Sequence, residues 1–168
     1  NYTGTQPVYR LIMTETDRVM FNGLNRNIED EVNVTFVAVE SAGGGTSARP
    51  QAVQNNGLRY RGAGSRGRNP PTLRLNFVGD RKWNNKSAIN LNSQAPQSQV
   101  LGGQVSVLVG LPTEYARAVQ LRVNGGNLAT AGMFGTYAAV EATNGETVGG
   151  HLPDDGDGNV YRASIGSH

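Results

Sequence analysis

The chain contains no cysteine, which removes disulfide frameworks, zinc–thiolate sites and thiol nucleophiles together. It has two histidines, and His151 is the one in the interior of the sequence, so neither a histidine metal cluster nor a Ser-His-Asp triad can be assembled; a loop histidine is expected. Aromatic residues make up only 7% of the chain. No apolar run reaches the length of about eighteen residues that a membrane helix needs, and no charged-then-apolar leader stands at the front, so a soluble chain is expected. The first residue is Asn1 rather than methionine, which suggests a processed or excised polypeptide. Net charge is only +2, too small for binding polyanions by bulk charge.

What is present describes short extended segments joined by tight turns. There are 23 glycines in 168 residues, with abundant Asn, Thr and Val, and 37% apolar content is adequate for the core of one domain. Val8 to Met13, Val32 to Glu40, Leu58 to Arg61, Leu73 to Phe77 and Ala88 to Asn92 read as strands. Ala118 to Val123 is a further strand, ended by Asn124-Gly125, the dipeptide suited to a positive-φ hairpin turn, with Phe134 to Glu141 as its partner. One long helix is expected over Gln97 to Val109, against the cost of Gly102-Gly103 at about 1 kcal/mol per glycine. Ser41 to Ser47 and Asn144 to Gly158 read as loops. The fold class expected is α+β, a mostly antiparallel sheet with one main helix in a single domain over 1–168.

Charge is uneven along this frame. Between Gln51 and Lys86 lie Arg59, Arg61, Arg66, Arg68, Arg74, Arg81, Lys82 and Lys86 against the single acid Asp80. Acids gather elsewhere, at Glu29-Asp30-Glu31, read as a solvated turn, and at Asp154, Asp155 and Asp157. Inside the basic centre Gly62, Gly64 and Gly67 spell G-x-G-x-x-G, the spacing of loops that wrap phosphate. A dinucleotide-binding site needs a helix after those glycines, and here Pro70-Pro71 and another strand follow. The kinase arrangement, a glycine hairpin lying over a triphosphate, is the phosphate geometry compatible with strand-loop-strand. A sharp turn with a solvated basic face is the plainer alternative.

Two smaller constellations complete the inventory. Asp155, Asp157 and Asn159 have the one-three-five spacing of a calcium loop, yet Val160 stands where the loop glycine belongs and Gly166 where the closing acid belongs. A polar turn is the favoured reading and calcium the alternative. Trp83, beside Arg81 and Lys82, could stack on a base, but a lone aromatic is more often a partly buried anchor, and nucleic acid is disfavoured as a partner.

Several segments in fixed order resemble the spore-coat protein H (CotH) kinase family of atypical, secreted or coat-associated bacterial kinases. They are PVYRLIM, GLRYRGAGSR followed by LRLNF, INLNS, a helix leading to VGLP, AVQLRVNG, GTYAAVE and DGNVYRA. The resemblance implies a β-rich N-terminal lobe that handles ATP with magnesium, on an extracellular or surface protein. It makes Arg59, Arg61, Gly62, Gly64, Ser65 and Arg66 candidates to face the nucleotide, and Glu141 the family's acid. There are departures. Asn69-Pro70-Pro71 stand where the family carries lysines, Lys82 and Lys86 are out of register, and Gln97 to Leu101 replace an aspartate and arginine. The family's metal-binding and catalytic aspartates belong to a half that would follow DGNVYRA. The resemblance therefore implies one half of a kinase-like domain, not catalytic alone, whose partners are the rest of its polypeptide or neighbouring subunits. The alternative is a non-enzymatic structural or adhesive module of a surface assembly, in which the chain forms a homo-oligomer or filament.

Overall fold

A computed structural model describes residues 6–40, 50–62, 64–128, 135–156, 159 and 161, with the side chain of Asp155 outside the description. The loop expected over Ser41 to Ser47 and Phe134 lie outside the described residues. The order of elements is β1 (Val8–Ile12), α1 (Glu15–Gly23), β2 (Val32–Val39), β3 (Gln51–Tyr60), β4 (Leu73–Asn76), β5 (Ala88–Asn92), α2 (Pro96–Leu108), β6 (Ala116–Val123), β7 (Gly126–Asn127), β8 (Thr136–Glu141) and α3 (Gly145–His151), then a short 3₁₀ turn, Pro153–Asp155.

The protein is α+β, and its sheet closes. Strands run in the order β1-β2-β3-β4-β5-β8-β6, each pair antiparallel, and β6 returns to β1 through one parallel pairing, Val8 opposite Gln120 to Leu11 opposite Val123. A seven-strand barrel results, where the sequence suggested an antiparallel sheet without specifying closure. Alternation explains it: Leu73 and Leu75 of β4 and Leu58 and Tyr60 of β3 are buried inside, while Arg74 and Arg59 point outward. Tyr9, Phe36, Phe77 and Trp83 meet edge-on or tilted with ring centroids 5.1–6.2 Å apart, near the most favourable aromatic geometry. Trp83 is 6% exposed and donates from Nε1 to Gln51 at 3.1 Å, so it is an anchor of the core and offers no face to a nucleobase.

The expected hairpin forms. Asn124 and Gly125 take φ of 47° and 83°, and the turn leads into the two-residue β7 before β8 pairs with β6. Asn124 also binds both backbone groups of Met13, accepting at 2.9 Å and donating at 3.1 Å, which fastens the turn to the end of β1.

Helix α2 occupies the expected span. Pro96 opens it, and it ends in a Schellman motif: Gly110, at φ 78°, donates to Val107 and Leu111 donates to Ser106. It packs on β6 and β8. Two helices were not expected. Helix α1 is capped by Thr14, whose side chain accepts from the Asp17 N–H at 3.0 Å, and it buries Phe21 in a stack on Tyr60, 4.6 Å between centroids. Helix α3 replaces part of the loop expected over Asn144 to Gly158 and carries His151; Asn144 caps it, accepting from Thr147 at 3.2 Å. With three glycines in seven residues α3 has little intrinsic propensity, and contacts to the barrel hold it in place. Among the described residues no helix is long and apolar enough to cross a membrane.

Candidate functional site: an arginine bay on the barrel wall

The glycine loop joins β3 to β4 as expected, and its return is pinned from inside the barrel. Ser93 donates to the Pro70 carbonyl at 2.8 Å, Tyr137 to that of Pro71 at 3.2 Å, and the hydroxyls of Thr72 and Ser93 are 3.3 Å apart. Gly62, at φ 103°, turns the chain where an L side chain is strained, and a Cβ there would meet the Ser65 hydroxyl. That hydroxyl donates to the Arg61 carbonyl at 3.4 Å. The loop is also clamped to the segment between α1 and β2: Arg66 donates to the carbonyls of Arg26 and Ile28, and Arg26 to those of Arg66 and Arg68. Arg26 lies over the Tyr60 ring at 4.7 Å.

Between these segments opens a bay of about 550 Å³ lined by Asn27, Glu29, Arg59, Arg61, Gly62, Arg66 and Arg74. Register creates its charge. Arg59 and Arg74 are direct partners across the antiparallel β3–β4 ladder, on the outward face, and like charges placed opposite one another repel. Arg61 follows two residues on and donates to the Asn92 side chain at 3.4 Å. Burial, and then the adjacent Arg59 charge, hold the Arg74 guanidinium below its usual range, with Glu29 and Glu31 pulling the other way.

Among the described residues, Glu29 and Glu31 bring carboxylates to the cluster. Glu29 Oε1 lies 3.0 Å from Arg59 and 3.3 Å from Arg66. Glu31 lies 3.7 Å from Arg59, accepts from Asn76, and rests where a Cβ on Gly57 would stand, so that glycine is there for close approach. The acidic turn is thus a counter-charge to the basic loop and not merely solvated. Arg66 Nε is closed off from solvent and has no acceptor among the described residues.

The expected residues separate. Arg59, Arg61, Gly62 and Arg66 share the bay; Gly64 is exposed on the loop outside it, and Ser65 faces its own turn. Glu141 lies at the other end of β5, paired with Ile89, whereas Arg61 reaches Asn92; three residues of strand separate them by roughly 10 Å. It lines a second bay of about 300 Å³ with Lys86, Glu146 and His151. Glu141 is ion-paired with Lys86 and accepts from the Tyr115 N–H at 3.0 Å, and its Oε2 is 3.2 Å from His151 Nε2. Burial pushes its carboxyl up, but these partners outweigh burial and leave it below the ordinary range. Glu146 pairs with Lys82 and accepts from the Ser87 N–H at 2.7 Å, and these contacts likewise outweigh burial and lower its carboxyl to about 2. Lys82 and Lys86, out of register for a phosphate in the sequence, have carboxylate partners here.

Arg74, Asn27 and Glu29 are the bay residues that sequence reasoning did not assign. The equal alternation of LRYR and LRLN was the available signal for Arg74, since it puts Arg59 and Arg74 on one face once the strands pair. The donor set fits phosphate oxygens, being several guanidinium groups around one open space. It does not fit magnesium: among the described residues no group of three or more His, Asp or Glu could hold a metal ion. For the calcium alternative, Asp157 and the Asp155 side chain lie outside the described residues, and Asn159 lines an open groove that Tyr161 also lines. No family model matches the chain, and no curated protein matches it. Neither comparison links the chain to the CotH family.

Proposed function

We propose that the chain is the phosphate-holding lobe of a CotH-like kinase domain in a secreted or surface bacterial protein, binding ATP through the arginine bay and not catalytic alone. The observation that carries this is the opposed pair Arg59 and Arg74, with Arg61 and Arg66 around the same opening. A fold that sets two arginines against each other on a barrel wall gains most when an anion sits between them. Phosphoryl oxygens accept from guanidinium in paired, charge-assisted bonds, the strongest ordinary match for such a donor set. ATP when bound would supply the transferable phosphoryl group; the arginines bind and orient its phosphates, and the acids that position magnesium would come from elsewhere in the polypeptide.

Thermal melting with and without MgATP tests the reading. At a ligand concentration about a hundred times Kd the folded state gains about 2.7 kcal/mol, a rise of roughly 5–10 °C for a chain of this size. Arg61→Ala should remove most of that rise. An unchanged melting temperature at millimolar MgATP, in a protein that is otherwise well folded, rejects it.

A second reading has its own observation. Helix α2 presents Leu101, Val105 and Leu108 at 66%, 50% and 84% exposure, followed by exposed Val109 and Leu111. An apolar strip of this kind marks a covered surface, in keeping with a structural module packed against neighbouring subunits or the rest of its polypeptide. Concentration-dependent association on sizing, lost in Leu101→Ser with Leu108→Ser, supports that use of the helix.

A further inference from the structure

We propose that Gly57, Glu31 and Asn76 form a bracket behind the arginine bay that sets the directions of Arg59 and Arg74 before a ligand arrives, which makes Glu31 and Asn76 positioning residues for the binding of phosphoryl oxygens. The proposal rests on the phosphate reading of the bay and adds what holds two like charges in place for it.

Strand register builds the bracket. Gly57 stands opposite Asn76 on the same ladder that sets Arg59 opposite Arg74, two residues away along each strand, so all four positions share the outer face. Glu31 reaches over the glycine, and its Oε2 rests where a Cβ would stand. Its other oxygen, Oε1, accepts from Asn76 Nδ2 and is ion-paired with Arg59 Nε at 3.7 Å. Asn76 Oδ1 in turn accepts from Arg74 Nε at 2.7 Å. Both arginines are thus held at Nε, one by the carboxylate and the other by the amide. Arg59 and Arg74 line the bay, whereas Gly57, Glu31 and Asn76 stand outside its lining.

The middle of the bracket needs an amide. Arginine Nε can only donate and a carboxylate can only accept, so the group between Arg74 and Glu31 has to offer one acceptor and one donor side by side. Asn76 offers both, and its two neighbours fix which way its amide faces. Opposed guanidinium groups repel, and long side chains left unheld spread over many rotamers that a ligand would have to restrict as it bound. With Nε of each arginine already engaged, that ordering is in place beforehand and no longer opposes association.

Calorimetric titration of the protein with inorganic pyrophosphate is the test. Asn76→Leu keeps most of the side-chain volume and loses both bonds, and it should weaken binding about fivefold; Asn76→Ala gives the same reading should the larger side chain disturb the fold. Gly57→Ala dislodges the end of a flexible side chain, so melting should stay within about 2 °C of the unaltered protein while binding weakens about threefold. The decisive measurement is the double variant. Added to Arg74→Ala, Asn76→Leu should cost no more than a further factor of about two, since a residue that acts through Arg74 has nothing left to position, whereas a merely structural role would cost the full amount again. If pyrophosphate binds and Arg74→Ala weakens it, but the Asn76 and Gly57 variants bind as the unaltered protein does, the bracket is wrong and the phosphate bay survives. Fully additive losses in the double variant also overturn the bracket. If no form binds pyrophosphate at millimolar concentration, bracket and bay fall together.

Discussion

The barrel carries two bays at opposite ends of β5, and they differ in how charge is settled. In the arginine bay, Arg59 and Arg74 stand opposite one another across the ladder, and Arg74 is held below its usual range by burial and by Arg59. In the second bay, Lys86 and Lys82 each meet one carboxylate, and those carboxylates are further bound by backbone N–H groups and His151. One sets arginines beside an acid, and the other a lysine and a histidine beside two acids. Glu141 and Glu146 therefore act as a clasp that seats α3, a helix too rich in glycine to stand alone, while Arg59 and Arg74 keep like charges opposed on the outer face.

The sharpest way to break this contrast is to remove the centre of the clasp. Glu141→Ala leaves Lys86, His151 and the Tyr115 N–H without their common acceptor, and stripping one partner from a largely buried pair costs about 3 kcal/mol. A fall of roughly 5–10 °C in melting temperature is expected, with loss of helical signal. Phosphate affinity should not change. A melting temperature within about 2 °C of the unaltered protein would refute the clasp.

The opposite pattern is expected in the arginine bay. Arg74→Ala removes the repulsion with Arg59 and a burial cost, and gives up a 2.7 Å bond to Asn76, so stability should shift by no more than about 0.5 kcal/mol. Pyrophosphate affinity should fall about tenfold, roughly 1.4 kcal/mol. Should Arg74→Ala destabilise the protein as Glu141→Ala does, the two bays are alike and the distinction fails.

Much of this scaffold was legible before any coordinates. Alternation located β1, β2, β4, β5 and β6, Asn124-Gly125 located the hairpin, and Pro96 and Gly110-Leu111 bounded α2 despite its glycines. Helix α1 was legible in principle, since Thr14 and Asp17 have the spacing of a capping box, but its single buried apolar residue, Phe21, gives no periodicity to notice. Helix α3 was not legible, because Glu146 and Asn144 reach Lys82 and Ser87 more than fifty residues away. The closing parallel pair between β1 and β6 has the same character: nothing local to Val8–Ile12 specifies which distant strand completes the barrel. The arginines were legible as a cluster, but which acids answer them follows from strand register.

Acid titration gives the smallest of the expected effects and tests the clasp from a different side. The Glu146 carboxyl is lowered from 4.5 to about 2 because its charged form is bound by Lys82 and the Ser87 N–H against the opposing pull of burial. A depressed carboxyl stabilises the fold fully above its ordinary value, and that contribution declines as pH falls through 4.5 and is gone below about 2. Glu141, also lowered, adds in the same direction. With Glu146 partly open to solvent, screening reduces its share to about 1 kcal/mol. Urea unfolding at about pH 5 and about pH 3 should show about half of that loss in the unaltered protein and a smaller one in Glu146→Gln, which has no proton to take up; equal losses in the two would mean that Glu146 is not what ties α3 to the barrel.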